Sequence, residues 1–78
     1  MVTVRFFAAA KAITKVSQIE LPANSLDEVL RLVNDRFAGL TTALPKCSYL
    51  VNGLATIDLA TELKSGDIVD VLPPFAGG

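Results

Sequence analysis

Histidine and tryptophan are absent from this 78-residue sequence, and Cys47 is its single cysteine. Without histidine, most protein metal sites and the Ser-His and Cys-His pairs of nucleophilic catalysis are excluded. One cysteine cannot form an intrachain disulfide, which favours a reducing, cytoplasmic location. With no histidine to activate it, Cys47 is interpreted as a structural or neutral residue. The sequence therefore predicts a protein with no acid–base or metal chemistry of its own.

Charge is also scarce, at 19% of the residues, and the net charge is −1 with lysine and arginine spread along the chain. Because phosphate binding requires clustered positive charge, nucleic acid is not an expected partner. No apolar run approaches the ~20 residues of a membrane span, and no signal peptide is expected. The phosphate-binding motifs GxxxxGK and GxGxxG are absent, so no nucleotide site of that kind is expected.

Apolar residues, by contrast, make up 51% of the chain. A dense core explains this content, and so does apolar surface reserved for another protein. The opening VTVRFF, residues 2–7, alternates and predicts a strand. Its core face would carry Val2, Val4 and Phe6. Its other face would carry Thr3, Arg5 and Phe7. AAAKAIT is then a short helix or a turn, and KVSQIEL, residues 15–21, predicts a second, antiparallel strand.

The clearest element is a helix within NSLDEVLRLVNDRFAGL. Ser25 and Glu28 form the spacing of a capping box at its start. Acidic residues in the first turn and Arg36 in the last suit the helix dipole, and Gly39 predicts its end. The apolar stripe that would cover one face of a sheet consists of Leu26, Val29, Leu30, Val33 and Phe37.

Short strands are expected in the second half of the chain. SYLV, residues 48–51, precedes the tight-turn pair Asn52-Gly53, and LATIDLATEL is ambiguous between strand and irregular turn. DIVDVL, residues 67–72, predicts a last strand that the following prolines end. Because strands stand on both sides of one main helix, we expect a single α+β domain over residues 1–78. The favoured architecture is the ubiquitin-like β-grasp, a mixed sheet packed on that helix.

Alternation along the last strand predicts a surface near the chain end. Because the helix is expected to cover the face that carries Val69 and Val71, Leu72 would lie on the uncovered face together with Phe7. Arg5 and Asp70 would lie beside them. These apolar groups are either scattered exposed residues or a contact patch, and their nearness to the tail favours an interface. Asp67 and Asp70 are interpreted as a turn cap and a surface charge.

The motifs at both ends carry a family resemblance. The opening VTVRFFAAAK, the internal VNG and the ending GDIVDVLPPFAGG together resemble the small sulfur-carrier subunit of molybdopterin synthase, the MoaD type of the MoaD/ThiS family. The most specific part is the Pro-Pro-x-x-Gly-Gly terminus, formed by Pro73, Pro74, Gly77 and Gly78. The related thiamine carrier usually lacks the paired prolines, and a carrier in bacterial cysteine biosynthesis ends similarly.

The resemblance implies a function for the terminal carboxylate. An ATP-using, ubiquitin-activating-type adenylyltransferase would adenylate Gly78, and a sulfurtransferase would convert it to a thiocarboxylate. The tail would then enter the large catalytic subunit of molybdopterin synthase and donate sulfur to precursor Z (cyclic pyranopterin monophosphate) during molybdenum cofactor biosynthesis. The family's synthase is a heterotetramer. The chain itself would be non-catalytic and bind no cofactor, with ATP used by its partner.

The residues of the tail suit this role physically. Gly77 and Gly78 have no side chains and can pass through a narrow channel. Pro73 and Pro74 favour an extended path, which stiffens the base of a flexible tail, residues 73–78. Phe75 is expected to anchor in an apolar part of a partner groove or to fold back on its own domain.

The expected contact patch for the large subunit consists of Phe7, Leu72 and Leu54. Three other functions remain open. The chain could be another carrier of this fold, serving thiazole or cysteine synthesis. It could be a protein modifier whose Gly78 forms an isopeptide bond with lysine, or an interaction module with an inert tail.

Overall fold

Five strands and two helices organise residues 1–74, which are the residues that the computed structural model describes. The strands are β1 (Val2–Phe6), β2 (Gln18–Leu21), β3 (Ser48–Val51), β4 (Leu54–Ala55) and β5 (Ile68–Leu72). The helices are α1 (Ala8–Thr14) and α2 (Leu26–Arg36). Two 3₁₀ turns, Ala38–Leu40 and Leu44–Lys46, connect α2 to β3.

The strands form one mixed sheet in the order β2-β1-β5-β3-β4. The first and last strands of the chain, β1 and β5, pair in parallel at its centre, and the other three pairings are antiparallel. The β1–β2 antiparallel pair was predicted from alternation and is confirmed. With α2 packed on one face, this mixed sheet confirms the predicted β-grasp fold class.

The core lies between the sheet and α2. The five strand residues predicted to face the helix are all at most 1% exposed: Val2, Val4, Phe6, Val69 and Val71. From α2, Leu26, Val29 and Val33 are fully buried. The rings of Phe6 and Phe37 meet edge to face, with centroids 5.6 Å apart. Since burying one such side chain contributes about 1.5–3 kcal/mol, this layer supplies most of the folding free energy.

The predicted cap of α2 is confirmed at Ser25, whose Oγ accepts a hydrogen bond from the Glu28 backbone N–H at 3.2 Å. The return bond differs from a standard capping box. Glu28 Oε1 accepts from the backbone N–H of Asn24, one residue before the cap, at 2.8 Å. Both bonds satisfy N–H groups that the helix itself cannot pair.

The predicted end of the main helix and the predicted start of the second strand are wrong. The main helix ends at Arg36, and Gly39 belongs to the following 3₁₀ turn. A Cβ at Gly39 would lie 3.0 Å from Ile13 Cγ2, so this glycine permits close contact with α1. β2 begins at Gln18 rather than at residue 15, because α1 runs through Thr14 and ends with Lys15 in a left-handed conformation, φ 64°.

The turn between β3 and β4 and the turn that leads into β5 both follow the sequence pattern. Asn52 and Gly53 both have positive φ, 50° and 83°, as a two-residue hairpin turn requires. Asp67 precedes the strand, and its carboxylate accepts hydrogen bonds from the Lys64 backbone N–H (2.8 Å) and from Asn52 Nδ2 (3.0 Å). These bonds hold the pKa of Asp67 below its ordinary value. The predicted turn cap is therefore confirmed.

Candidate functional site

Four side chains form a cluster on the sheet face opposite the core. The β1–β5 register pairs Arg5 with Asp70 and Phe6 with Val71, which places Phe7 beside Leu72. We call Arg5, Phe7, Asp70 and Leu72 the open-face quartet. The arrangement confirms that Phe7 and Leu72 lie beside Arg5 and Asp70, as the alternation predicted.

Asp70 was predicted to be a surface charge, and this is wrong, since the residue is only 5% exposed. It is enclosed by neighbours on both sides, Arg5 on β1 and Leu50 on β3. Arg5 Nε donates to Asp70 Oδ1 at 2.5 Å and Arg5 Nη2 donates to Oδ2 at 2.8 Å. A buried carboxylate requires such a partner because an unpaired buried charge costs several kcal/mol. The same bonds raise the pKa of Arg5 above its ordinary value, with the carboxylate's charge adding to the effect.

The Arg5 guanidinium also contacts Phe7. Its Cζ lies 5.7 Å from the centroid of the Phe7 ring, within the range of a cation–π contact. Phe7 follows β1 and is the N-cap residue of α1, but its backbone remains extended, with φ −126° and ψ 156°. The alternation of β1 therefore continues to Phe7, whose side chain is on the same side as that of Arg5.

Phe7 and Leu72 line a groove of about 560 Å³ together with Pro73 and Pro74. We call this the tail groove. The rest of its lining, which the sequence did not indicate, is Ala8, Ala9 and Ser48. Because Pro73 and Pro74 directly follow β5, the segment leading to the chain end forms one wall of the groove.

The predicted tail residues Phe75, Gly77 and Gly78 lie outside the described residues. Covalent geometry limits the four residues after Pro74 to a span of about 14 Å. The covalent chain therefore keeps Gly78 within about 14 Å of Pro74, which forms part of one wall of the tail groove.

Leu54 is not part of the tail groove. It pairs with Val51, which places it on the core side of the β3–β4 hairpin, whereas Leu72 pairs with Ser48 at the opposite end of β3. The three intervening steps along β3 amount to about 10 Å. Leu54 is 72% exposed. The structure thus brings together Phe7, Leu72 and the two prolines and places Leu54 at a separate edge.

A larger groove of about 780 Å³ lies between α2 and the β3–β4 hairpin. Of the residues predicted to contact a partner, those within residues 1–74 do not line it. We assign the candidate docking surface to the smaller tail groove because the segment leading to Gly78 forms its wall.

Cys47, on the lining of the larger groove, is partly buried. Its Sγ donates to the Ala43 carbonyl oxygen at 3.2 Å. Burial raises the pKa of the Cys47 thiol, which lowers the fraction of reactive thiolate. This environment supports the interpretation of Cys47 as a structural residue. Within residues 1–74, no group of three or more His, Cys, Asp or Glu side chains is placed to hold a metal ion.

Tyr49 provides a direct test of this side of the fold, because it is the single tyrosine of the chain. Its hydroxyl donates to the Leu44 carbonyl oxygen, and the residue is 9% exposed. Burial, followed by the negative charge of a neighbouring Cys47 thiolate, raises the pKa of the Tyr49 phenol from 10 to about 12. We therefore expect the Tyr49 phenol to ionise near pH 12 in the folded protein and near pH 10 in the unfolded chain.

Because the phenol's pKa is higher in the folded state, its contribution to stability is complete below pH 10 and is lost as the pH rises toward 12. Phenolate absorbance measured against pH follows this group without interference from tryptophan, which the chain lacks. The same titration in denaturant is the control. A folded-state midpoint equal to that of the denatured chain would contradict the burial of Tyr49.

The model of the ThiS family matches residues 4–78. The chain belongs to the ThiS family. The comparison with curated protein sequences gave no match. No helix in residues 1–74 is both long and apolar enough to cross a bilayer.

Solved structures with the same fold include proteins described under several functions. A chain in the complex of subunits 1 and 2 of molybdopterin-converting factor from Helicobacter pylori 26695 is 38% identical, with a TM-score of 0.75, and the match covers 99% of this chain and 97% of that one. A chain in the Amycolatopsis orientalis BexX/CysO complex is 26% identical over 100% of both chains, with a TM-score of 0.83. Small archaeal modifier protein 1 from Methanosarcina acetivorans, at 23% identity, shares the fold with a TM-score of 0.89 over 99% of this chain and 95% of that one.

The family match and these neighbours confirm the resemblance drawn from the sequence. This ThiS-family chain is a ubiquitin-like sulfur carrier of the MoaD/ThiS type. Its fold holds the tail groove at the point where the chain leaves β5 toward Gly78.

Proposed function

We propose that this chain is the sulfur-carrier small subunit of molybdopterin synthase, and that the thiocarboxylate of Gly78 donates sulfur to precursor Z. The observation that carries the proposal is the 38% identity, over 99% of this chain, to a chain of the molybdopterin-converting factor complex. Identity to the chain in the BexX/CysO complex is lower, at 26%. The paired prolines Pro73 and Pro74 before the Gly-Gly end are a further feature that favours this carrier over the thiamine carrier.

The chain's own contribution is to present a carboxylate. A carboxylate is a poor electrophile, so the Gly78 oxygen first attacks the α-phosphate of ATP on a ubiquitin-activating-type adenylyltransferase, and pyrophosphate leaves. A sulfur nucleophile supplied by a sulfurtransferase then displaces AMP from the acyl adenylate. We propose that this chain binds no cofactor and that ATP is bound and used by the partner.

The tail groove supports docking of a partner on the open face of the sheet. Phe7, at 38% exposure, and the partly exposed Leu72 present apolar surface beside the two prolines. A large catalytic subunit that covers this groove would have the Gly78 carboxylate within the ~14 Å that the tail can span. We place this reaction in the cytoplasm, where a free thiol such as that of Cys47 stays reduced.

Two measurements test the proposal. Co-expression with a candidate large subunit, followed by size-exclusion chromatography, should give a complex that contains both chains. Intact-mass spectrometry after incubation with an activating enzyme, ATP and a sulfur source should show exchange of one oxygen for sulfur. Isopeptide ladders on other proteins would instead identify a modifier. A thiocarboxylate without binding to the large subunit would point to thiazole or cysteine synthesis, and the absence of both signals would point to an inert tail.

A further inference from the structure

The Arg5–Asp70 ion pair has no place in the chemistry proposed above. It lies at the centre of the open face, on the two parallel strands β1 and β5. The side chain of Asp70 is 7% exposed and that of Arg5 is 43% exposed. The carboxylate is thus held beneath the guanidinium, which remains accessible from the solvent side.

Stability alone does not account for such a pair. Removing two charges from water costs free energy that their attraction only partly offsets, and an apolar pair of similar volume is often as stable or more so. The core of this domain lies on the opposite face, where Val4 and Val69 are fully buried. The main apolar core therefore lies on the face of the sheet away from this ion pair.

The geometry links the pair to the tail groove instead. Arg5 is fixed by two hydrogen bonds to Asp70, and its guanidinium lies 5.7 Å from the centroid of the Phe7 ring. Phe7 lies between β1 and α1, and its ring lines the groove. The Arg5 guanidinium is thus a neighbour that restricts the rotamers open to the Phe7 ring, which is 38% exposed.

We propose that Arg5, held in place by Asp70, is a positioning residue that fixes the Phe7 ring at the tail groove for docking of the partner subunit. This inference rests on the proposed function, since docking is the step that it affects. Fixing the ring in advance reduces the conformational entropy that docking would otherwise cost. Arg5 acts through Phe7 and makes no contact with the reacting carboxylate.

The test variant is Arg5→Gln combined with Asp70→Asn, which removes both charges but keeps hydrogen-bonding side chains of similar size. The matched control is Arg31→Gln, which removes the ion pair of Arg31 with Glu28 (3.6 Å) on α2, outside the tail groove. If the double variant does not fold, Asp70→Asn alone is the test variant, because it removes the carboxylate that holds Arg5 in place. Folding is checked by circular dichroism before each measurement.

The first measurement uses the free chain. Ring-current shifts and ring-to-methyl NOEs between Phe7 and the Ala8 and Ala9 methyl groups should change in the double variant and stay unchanged in Arg31→Gln. Unchanged Phe7 signals in the double variant would overturn the inference. This measurement needs no partner, so it decides the question even if the proposed function fails.

The second measurement is the Kd for subunit 2 of the Helicobacter pylori molybdopterin-converting factor, by isothermal titration calorimetry. We expect the double variant to bind about three- to tenfold more weakly than the unmodified chain. In a Phe7→Ala background, the same change should have no further effect. Unchanged affinity of the double variant would overturn the inference. It would also be overturned if the losses from the double variant and from Phe7→Ala simply added, because Arg5 would then contact the partner itself. Failure of the unmodified chain both to bind and to form a thiocarboxylate would instead overturn the proposed function.

Discussion

Replacing Gly78 by alanine is expected to lower thiocarboxylate formation by about a hundredfold, because an ångström-scale displacement of a reacting group costs roughly that much in rate. Under the proposed function, the added methyl group would meet the wall of a narrow channel that leads to the adenylate-forming site of the activating partner. One extra residue after Gly78 should have the same effect, since it moves the carboxylate past the reacting position. Intact-mass spectrometry after a fixed incubation with activating enzyme, ATP and a sulfur source measures the result.

The fold should be unaffected by either change at Gly78, because all buried side chains of the described core lie between Val2 and Val71. A matched control is one residue added before Met1, which is 62% exposed at the other end of the chain. That control should gain sulfur at the normal rate. Unimpaired sulfur gain by the alanine variant would show that the terminus need not be free of side chains.

The second large effect is expected at the tail groove. Changing Phe7→Ala together with Leu72→Ala should weaken binding to the large subunit by about 2–4 kcal/mol, or roughly thirty- to a thousandfold in Kd, as for a central apolar cluster in an interface. The two side chains are partly exposed, so the cost to folding stability should be smaller, about 1–2 kcal/mol. Calorimetric titration measures the loss in binding free energy, and urea unfolding measures the loss in folding stability.

A pair of exposed apolar residues outside the groove provides the control. Leu54 and Ile57 are 72% and 96% exposed, and neither lines the tail groove. Leu54→Ala with Ile57→Ala should leave the Kd unchanged, although Leu54 was one of the contacts expected from the sequence. A large loss from this pair would move the docking surface to the β3–β4 edge. Unfolding of the Phe7 and Leu72 variant would contradict the open-face placement of those two residues.

Local patterns predicted most of the fold correctly. Alternation identified the inward side chains of β1 and β5, because successive residues of a strand point to opposite faces whatever the strand pairs with. The cap at Ser25 and the stripe along α2 are equally local, since they involve residues three or four positions apart. The predicted ends of helices and strands were less accurate. The helix α2 ends at Arg36, and Gly39, which the pattern predicted as its end, instead lies in the next turn close to Ile13, a residue that the helix pattern does not contain.

The candidate site was only partly predictable for a similar reason. Phe7, Leu72 and the prolines were found from alternation and from the family's terminal motif, and the structure places them around one groove. The burial of Asp70 was missed because it depends on Arg5, which is 65 positions away in the chain. The position of Leu54 was missed because the register of the two-residue strand β4 decides which face it occupies.

The sequence alone determined the type of chemistry that we propose. The absence of histidine, the single cysteine and the Pro-Pro-x-x-Gly-Gly ending led to the proposal that the reacting group is the Gly78 carboxylate. The tertiary structure decided which side chains surround the base of that terminus. The parallel pairing of β1 with β5 brings Arg5 and Phe7, from the start of the chain, against Asp70 and Leu72, near its end. Such long-range pairing depends on the packing of the whole sheet and leaves no local signal in the sequence.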